Sequence, residues 1–401
     1  MKLKLIFILA LICLSKQALS FPYSQIYVFG DSLSDTGRLF EATSLPPEPY
    51  FEGRVSNGTL WIEELSETLN LTYNPDTNFA VAGATSGAIN VNGDDLIGVQ
   101  QQLDNYLNNN PIADADALYV VWAGANDFSE SVPDITKSIS NIVTVVGKLR
   151  QHGAKHILVP NLPPLDKTPR AITGGTSALL APVISAFNQN LAQQLAALDV
   201  IQVDIPTAFE IFKTPKVVTP PLGNLKNMTE ACFDFKTICD NPDQYFYWDD
   251  LHPTTVGHKA IALVFFAAIA ESVYVDFSKI DPSEPHLLEL PFIEVTDEAG
   301  KFLALDVGMS RKPDDAELQF SVLGSVIQTT VSLQNLFTFP SGHKYPTFNK
   351  ATGILAVPIV HIAEANPTLT FLIEYKANFK FLPNTLNNPF MAPTFELASA
   401  K

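Results

Sequence analysis

The chain has 401 residues, of which 46% are hydrophobic and 17% charged, a composition typical of globular proteins and unlike that of disordered ones. It carries 25 basic and 42 acidic residues, so its formal net charge at pH 7 is −17. Such an acidic chain is not expected to bind nucleic acid, nor is its charge expected to attract it to anionic lipid. A lipid substrate would therefore have to be held by apolar contacts.

Residues 1–20 have the pattern of a secretory signal peptide. Lys2 and Lys4 precede an apolar run, and small residues come directly before Phe21. The apolar run has only about ten residues, too few to span a bilayer, so a membrane anchor is disfavoured. We expect cleavage before Phe21 and a secreted or periplasmic protein.

Cys232 and Cys239 are the two cysteines that remain after the signal segment is removed. An even pair at short spacing in an exported chain favours a local disulfide, with two free buried thiols as the alternative. A metal site is not expected there, because no histidine lies at ligand spacing to both cysteines.

The region from residue 21 to 280 alternates short apolar segments with amphipathic ones, which predicts an α/β domain with a parallel sheet covered on both faces. Ligands of such sheets bind beyond the carboxyl ends of the strands. The predicted strands are Ile26–Phe29, Leu118–Trp122, His156–Val159 and Val200–Val203, and helical spacing of apolar residues marks 135–149 and 184–198.

Residues 285–401 have a different texture, with strand-like runs separated by prolines and turn signals, after a linker at 281–285. We predict a small antiparallel β domain, a sandwich, whose role the sequence does not reveal. Its predicted strands are 302–307, 329–333, 354–362 and 369–375.

Ser32 follows the first predicted strand directly, at the carboxyl end where functional residues gather. A helix that follows it would direct backbone amides at a developing negative charge. The same position also suits a structural role, since Ser32 or Ser34 would serve equally well as a helix N-cap. Ser32 alone therefore does not decide between catalysis and capping.

His252 is the histidine best placed to act as a base for a nucleophilic serine, because the base needs an orienting acid. Asp249 lies three residues before it, a spacing that lets the carboxylate meet the ring, and Pro253 suits the first position of a helix. Asp250 is then expected to point elsewhere. His258, six residues farther along, is the rival base and fits a structural role better.

Separated blocks of this sequence resemble the GDSL (SGNH) hydrolase superfamily of serine esterases and lipases, including its secreted bacterial lysophospholipase and acyltransferase types. The resemblance extends over roughly residues 24–270 and does not include the β-rich region. The matching blocks are Phe29–Gly37, Asn78–Ser86, Gly124–Asp127 and Asp249–Pro253, with lesser matches at Gly53–Trp61 and Asn161–Pro169.

The resemblance implies a three-layer, flavodoxin-like fold in which Ser32 is the nucleophile, His252 the base and Asp249 the acid. The backbone amides of Ser32 and Gly83 and the side chain of Asn126 would bind the oxyanion. Taken alone, Gly83 also fits a turn glycine and Asn126 a loop residue. This chemistry needs no cofactor and no metal. The absence of a GxSxG motif from the sequence argues against the ordinary α/β-hydrolase arrangement.

A cysteine pair shortly before the acid–base block is a further likeness to secreted bacterial lysophospholipases and glycerophospholipid acyltransferases. It favours acyl esters of phospholipids or lysophospholipids as substrates, water or an alcohol as acyl acceptor, and transient contact with a membrane surface. The proline- and lysine-rich segment Thr214–Asn227 is either a loop at the site entrance or a solvated surface loop. Two alternatives stay open: a carbohydrate acetylesterase, and a non-catalytic binding protein on a retained hydrolase fold.

Overall fold

The computed structural model describes the greater part of the α/β region and separate strands of the β-rich region. The described residues are 23–69, 71–129, 133–213, 222, 225–269, 273–276, 286–297, 300–311, 318–322, 326–328, 335–341, 347–349, 354–357, 360–363 and 375–378. The predicted signal peptide, the linker at 281–285 and most of the Thr214–Asn227 segment lie outside them.

The central sheet contains the four predicted strands in chain order, all parallel. Each strand is short and almost wholly buried, as expected for a parallel sheet covered on both faces. The strands are β1 (Ile26–Gly30), β2 (Leu118–Trp122), β3 (His156–Pro160) and β4 (Ile201–Val203). The predicted parallel α/β sheet is therefore confirmed.

Two further segments extend this sheet at its edges. On one side, Phe79 N donates to Val28 O at 2.8 Å and Val81 N to Gly30 O at 3.2 Å, so the chain after Asn78 runs beside β1. The segment after Asn78, which follows β1 in sequence, therefore lies at the edge of the sheet, on the side of β1 away from β2. This strand order is the flavodoxin-like one. On the other side, β12 (Phe337–Thr338) pairs antiparallel with β4.

Helices cover both faces of the sheet and give the three layers that the resemblance implies. One core cluster joins the sheet to α2, α7 and α8, and the other joins it to α3, α4 and α6. The helices are α1 (Arg38–Thr43), α2 (Trp61–Thr68), α3 (Val99–Asn109), α4 (Ile135–Gln151), α5 (Pro169–Thr173), α6 (Ser177–Leu195), α7 (Ile205–Lys213) and α8 (Thr255–Ile269). Within the described residues, no helix is both long and apolar enough to cross a bilayer.

The remaining strands lie mostly in the β-rich region, as its texture predicts. A parallel pair, β5 (Asn227–Ala231) and β6 (Tyr245–Tyr247), precedes α8. The others are β7 (Val273–Asp276), β8 (His286–Asp297), β9 (Gly300–Arg311), β10 (Leu318–Val322), β11 (Val326–Gln328), β13 (Thr347–Asn349), β14 (Ile354–Val357), β15 (Val360–Ala363) and β16 (Tyr375–Asn378).

These later strands form two sheets that are almost entirely antiparallel. One has the order β10-β9-β8-β7-β15 with β11 beside β9, and the other has the order β13-β14-β16. One pairing departs from the predicted antiparallel arrangement, since β15 runs parallel to β7, a strand that precedes residue 285. The predicted strand 302–307 lies within β9 and 354–362 is divided between β14 and β15, whereas 329–333 and 369–374 lie outside the described residues. The domain boundary at residue 285 stays a prediction.

Candidate active site

Ser32 lies in a tight turn directly after β1. The backbone amides of Ser34 and Asp35 both donate to Asp31 O at 3.0 Å and close a single helical turn. The next helix, α1, begins only at Arg38, so the amides around Ser32 belong to a turn and not to a helix N-terminus. Neither Ser32 nor Ser34 caps α1, and the capping alternative does not hold for this helix.

Asp35 connects the turn that contains Ser32 to the loop that contains Ala82. Its buried carboxylate accepts backbone hydrogen bonds from Gly37 at 2.8 Å, Arg38 at 2.6 Å, Leu39 at 3.0 Å and Ala82 at 2.7 Å. Burial raises the pKa of the Asp35 carboxyl, and the four amides oppose that rise. One side chain thus ties the turn of the serine to the second family block.

The structure brings Ser32, His252 and Asp249 together in a continuous chain of hydrogen bonds. Ser32 Oγ lies 2.9 Å from His252 Nε2, and His252 Nδ1 lies 2.9 Å from Asp249 Oδ2 and 3.1 Å from Oδ1. Asp249 is only 2% exposed. The serine and the histidine are 220 residues apart in sequence, so the fold alone creates this contact.

The charges of Asp249 and His252 stabilise each other. Burial alone would raise the pKa of Asp249, but the His252 charge, its hydrogen bond and the amides of Leu251 and His252, at 2.8 and 2.6 Å, lower that pKa to about 2. Burial of the His252 ring disfavours its charged form, but the Asp249 charge and the hydrogen bond to Asp249 together outweigh burial, so the pKa of His252 is raised above its ordinary value. Asp249 is therefore ionised at neutral pH and holds the ring by Nδ1.

The lesser family block at Gly53–Trp61 positions the loop that carries His252. Ser56 Oγ donates to Pro253 O at 2.9 Å, and Asn57 Oδ1 accepts from Thr255 N at 2.8 Å at the start of α8. These two bonds fix the backbone on the carboxyl side of the histidine.

Tyr50 is a site residue that the sequence did not reveal. Its hydroxyl donates to Asp249 Oδ2 at 2.9 Å, so both carboxylate oxygens are occupied. The Tyr50 ring packs edge-on against Trp248 and Phe233 in a small cluster that also contains the disulfide. Tyr50 comes 199 residues before Asp249, and no local pattern links them.

Gly83 lies in a loop that admits only glycine without rearrangement. Its φ is +85°, and a Cβ added there would collide with the side chains of Asn90 and Asn92. Both asparagines donate to Ala82 O, at 3.0 and 2.9 Å. The loop is thus held by side-chain bonds on one side of Gly83.

Asn126 lies in the turn that follows β2 and lines the same pocket as Ser32. One hydrogen of its side-chain amide is donated to Ala84 O at 3.0 Å, which leaves the second hydrogen for another acceptor. The neighbouring Asp127 carboxylate accepts from Ser86 N at 2.8 Å and from Ser86 Oγ at 2.6 Å. The second and third family blocks are therefore joined to each other beside Ser32.

Asp31 and Arg170 are two more ionisable residues that line this pocket and that the sequence did not single out. Asp31 is 2% exposed, and burial raises its pKa to about 7 although Leu33 N donates to it at 3.1 Å. Arg170 forms a two-fold ion pair with Asp250, with Nη2–Oδ1 at 2.8 Å and Nε–Oδ2 at 3.1 Å. Asp250 thus points away from His252, as expected.

A pocket of about 210 Å³ opens beside Ser32 and His252. Its walls are mainly aromatic and aliphatic and come from both sides of the sheet. They include Phe128, Leu165, Leu180, Phe209, Phe212, Phe246, Ile261 and Val264. The pocket therefore offers an apolar chamber next to the serine, and its polar lining includes Asn126 and Arg170.

His258 does not take part in this arrangement. It is 1% exposed within α8, and burial lowers its pKa to about 3, so it stays neutral at physiological pH. Cys232 and Cys239 are joined in a disulfide, as predicted. Within the described ranges there is no group of three or more His, Cys, Asp or Glu side chains placed to hold a metal ion.

A serine, a histidine and an aspartate joined in this order at the carboxyl edge of a parallel sheet is the arrangement of serine esterases. The chain belongs to the GDSL-like lipase/acylhydrolase family, whose model matches residues 26–265. The family predicted from the sequence blocks is therefore confirmed, and with it the class of ester hydrolases.

Curated relatives include two bacterial proteins. The phosphatidylcholine-sterol acyltransferase of Aeromonas hydrophila is 29% identical over 327 residues, covering 65% of this chain and 95% of that protein. The thermolabile hemolysin of Vibrio parahaemolyticus is 25% identical over 272 residues, covering 60% of this chain and 62% of the hemolysin. Among solved structures, a member of the lipolytic protein G-D-S-L family from Veillonella parvula is 16% identical, covering 59% of this chain and 93% of that one, with a TM-score of 0.36.

Proposed function

We propose that this protein is an exported serine hydrolase that cleaves the acyl esters of phospholipids or lysophospholipids. The observation that carries the proposal is the unbroken contact from Ser32 through His252 to Asp249. In this mechanism His252 removes the Ser32 proton as Oγ attacks the ester carbonyl, and Asp249 stabilises the imidazolium that forms. His252 then donates the proton to the leaving alcohol, and water or another alcohol releases the acyl group from Ser32.

The oxyanion of the tetrahedral intermediate is bound, in this proposal, by the amides of Ser32 and Gly83 and by Asn126 Nδ2. Support comes from the hydrogen bonds that hold each loop before substrate arrives, because fixed donors need little reorganisation in the transition state. The bond from Asn126 to Ala84 O orients the side-chain amide, and its second hydrogen is free to reach the oxyanion.

Asn126→Ala is expected to lower kcat by roughly 10²- to 10³-fold, because one donor to the oxyanion is lost while the nucleophile and base remain. Steady-state hydrolysis of p-nitrophenyl butyrate measures this effect. The matched control is Asn190→Ala, which removes an exposed asparagine on α6. An Asn126→Ala enzyme that changes only KM would show that this side chain binds substrate and does not stabilise the oxyanion.

The apolar pocket supports a long acyl chain as the group that is transferred. Phe128, Phe209, Phe212 and Phe246 line it, and an acetyl group would leave most of this surface uncovered. A phospholipid acyl ester is also the substrate class named in the acyltransferase relative from Aeromonas hydrophila. We therefore favour a lipid acyl ester over an acetylated carbohydrate.

A chain-length series tests this choice of substrate. We expect kcat/KM for p-nitrophenyl esters to rise from acetate to octanoate by roughly tenfold or more, since each buried methylene contributes about 0.8 kcal/mol until the pocket is filled. Lysophosphatidylcholine should also be hydrolysed, and cholesterol added as acceptor tests acyl transfer. A preference for acetate and for acetylated xylo-oligosaccharides would instead establish the carbohydrate esterase.

Export and membrane contact are further parts of the proposal. The Cys232–Cys239 disulfide favours an oxidising compartment and so supports the predicted signal peptide at residues 1–20. Near the pocket, Ile172 is 45% and Leu179 72% exposed, and each lies close in sequence to a pocket-lining residue. Such side chains can enter a lipid surface without any need for electrostatic attraction.

Tyr50→Phe is expected to lower kcat by about tenfold, because Asp249 loses one of its hydrogen bonds and holds the His252 ring less firmly. The carboxylate, no longer shared with Tyr50, stabilises the imidazolium more strongly, so the pKa of His252 rises further. The acid limb of the kcat/KM profile therefore moves to higher pH. Tyr27→Phe, on β1, is the control. A loss of activity without any shift of the profile would indicate that Tyr50 serves packing alone.

A further inference from the structure

Arg170, which lines the pocket, forms an ion pair with Asp250. Their side chains are 57% and 30% exposed, so both remain accessible to a ligand. Arg170 lines the pocket together with Ser32 and His252, and its positive charge acts on the His252 ring. Because Arg170 lines the pocket and Asp250 is paired with it, the charged pair lies beside the polar part of a substrate whose acyl chain fills the apolar chamber.

The ion pair is not needed to hold α5 against the loop that carries Asp249 and His252. Arg170 N already donates to Asp250 O at 2.8 Å, a backbone bond that ties α5 to the loop of the acid and base. An exposed ion pair adds little stability beyond such a bond. Within the described part of the chain, Arg170 Nη1 has no hydrogen-bond acceptor, so one edge of the guanidinium is available to an anionic group.

We propose that Arg170 and Asp250 together form a subsite for a zwitterionic phospholipid headgroup. The phosphate binds at the free edge of Arg170, and the ammonium group binds at Asp250. Each charge of the headgroup then lies next to a side-chain charge of opposite sign, so positive and negative charges alternate along the bound complex. The inference rests on the proposed lipid esterase function and assigns its headgroup class.

The chemistry of the pair favours a zwitterion over an anionic headgroup. A phosphate alone would meet the negative charge of Asp250 beside Arg170, on a chain that already carries a net charge of −17. A headgroup with an ammonium group compensates Asp250 and leaves no charge unpaired. The subsite thus selects by repulsion of the wrong headgroup as well as by attraction of the right one.

Three palmitoyl lipids in neutral detergent micelles test the subsite: lysophosphatidylcholine, lysophosphatidylglycerol and monoacylglycerol. The readout is the ratio of their kcat/KM values, measured for each variant on the plateau above the acid limb of its pH profile. An effect on the catalytic residues changes all three substrates alike and cancels in the ratio. Lys148→Gln, which breaks the exposed Lys148–Asp104 ion pair away from the pocket, is the matched control.

Arg170→Gln should lower the ratio of lysophosphatidylcholine to monoacylglycerol by roughly tenfold or more, because the phosphate loses a charged partner. Asp250→Asn should raise lysophosphatidylglycerol relative to lysophosphatidylcholine, because the freed arginine then favours an anionic headgroup. Equal changes for all three lipids in both variants would overturn the subsite while leaving the esterase intact. Hydrolysis of p-nitrophenyl butyrate with none of the lipids cleaved would overturn the lipid assignment itself.

Discussion

Ser32→Ala is expected to fold normally and to lose ester hydrolysis by roughly 10⁶-fold in kcat. The variant removes the oxygen that lies 2.9 Å from His252 Nε2, so no acyl-enzyme can form. The backbone amides and Asn126 would still bind a substrate carbonyl, so a small rate above that of water is expected to remain. The measurement is a burst and steady-state assay with p-nitrophenyl butyrate.

The neighbouring serine provides a control for this variant. Ser34 is buried and accepts a hydrogen bond from Trp61 Nε1 at 3.2 Å. Ser34→Ala should therefore lower thermal stability, whereas Ser32→Ala should leave stability near that of the wild type. If Ser32→Ala kept the turnover of the wild type, the nucleophile would have to be another residue.

Asp249→Asn should lower kcat by about 10⁴-fold. An asparagine can keep the bonds from the Leu251 and His252 amides through its oxygen, so the loop should stay in place. Its NH₂ group then faces His252 Nδ1 and Tyr50. The imidazole is driven to carry its proton on Nε2, where it cannot accept the proton of the serine.

This tautomer effect predicts a particular kinetic pattern. Asp249→Asn should keep its KM for p-nitrophenyl butyrate and recover little activity at any pH. The loss of activity comes from the tautomer of His252 and not from a change in the pKa of His252. Asp104→Asn removes an exposed carboxylate on α3 and should match the wild type. Asp249→Asn activity within tenfold of the wild type would mean that His252 needs no orienting carboxylate.

The sequence predicts most of the scaffold because parallel strands and amphipathic helices leave local patterns. All four strands of the parallel sheet were predictable to within one residue at either end, from runs of buried apolar residues. The spacing of Asp249 and His252 likewise predicts their contact, since three residues within one turn fix it locally. Ser32 was predictable as a candidate because it follows a strand.

The long-range contacts of the site could not be read in the same way. Tyr50 reaches Asp249 only because the fold brings the loop after α1 to the loop before α8, and a lone tyrosine carries no signal of this. In the sequence, Asp35 is an ordinary acidic turn residue, and its hydrogen bond from Ala82 N is visible only in the fold. The addition of β12 to the catalytic sheet was also missed, because a strand of two residues has no periodicity.

The most direct test of the central claim is reaction with a fluorophosphonate, which traps a serine that a histidine activates. Peptide mapping by mass spectrometry then locates the adduct. We predict one adduct per chain, on Ser32, formed by the wild type and strongly slowed in Asp249→Asn. A chain that stays unlabelled while correctly folded would contradict this account and favour a binding protein on a retained hydrolase fold, and an adduct on another serine would contradict the assignment of the nucleophile.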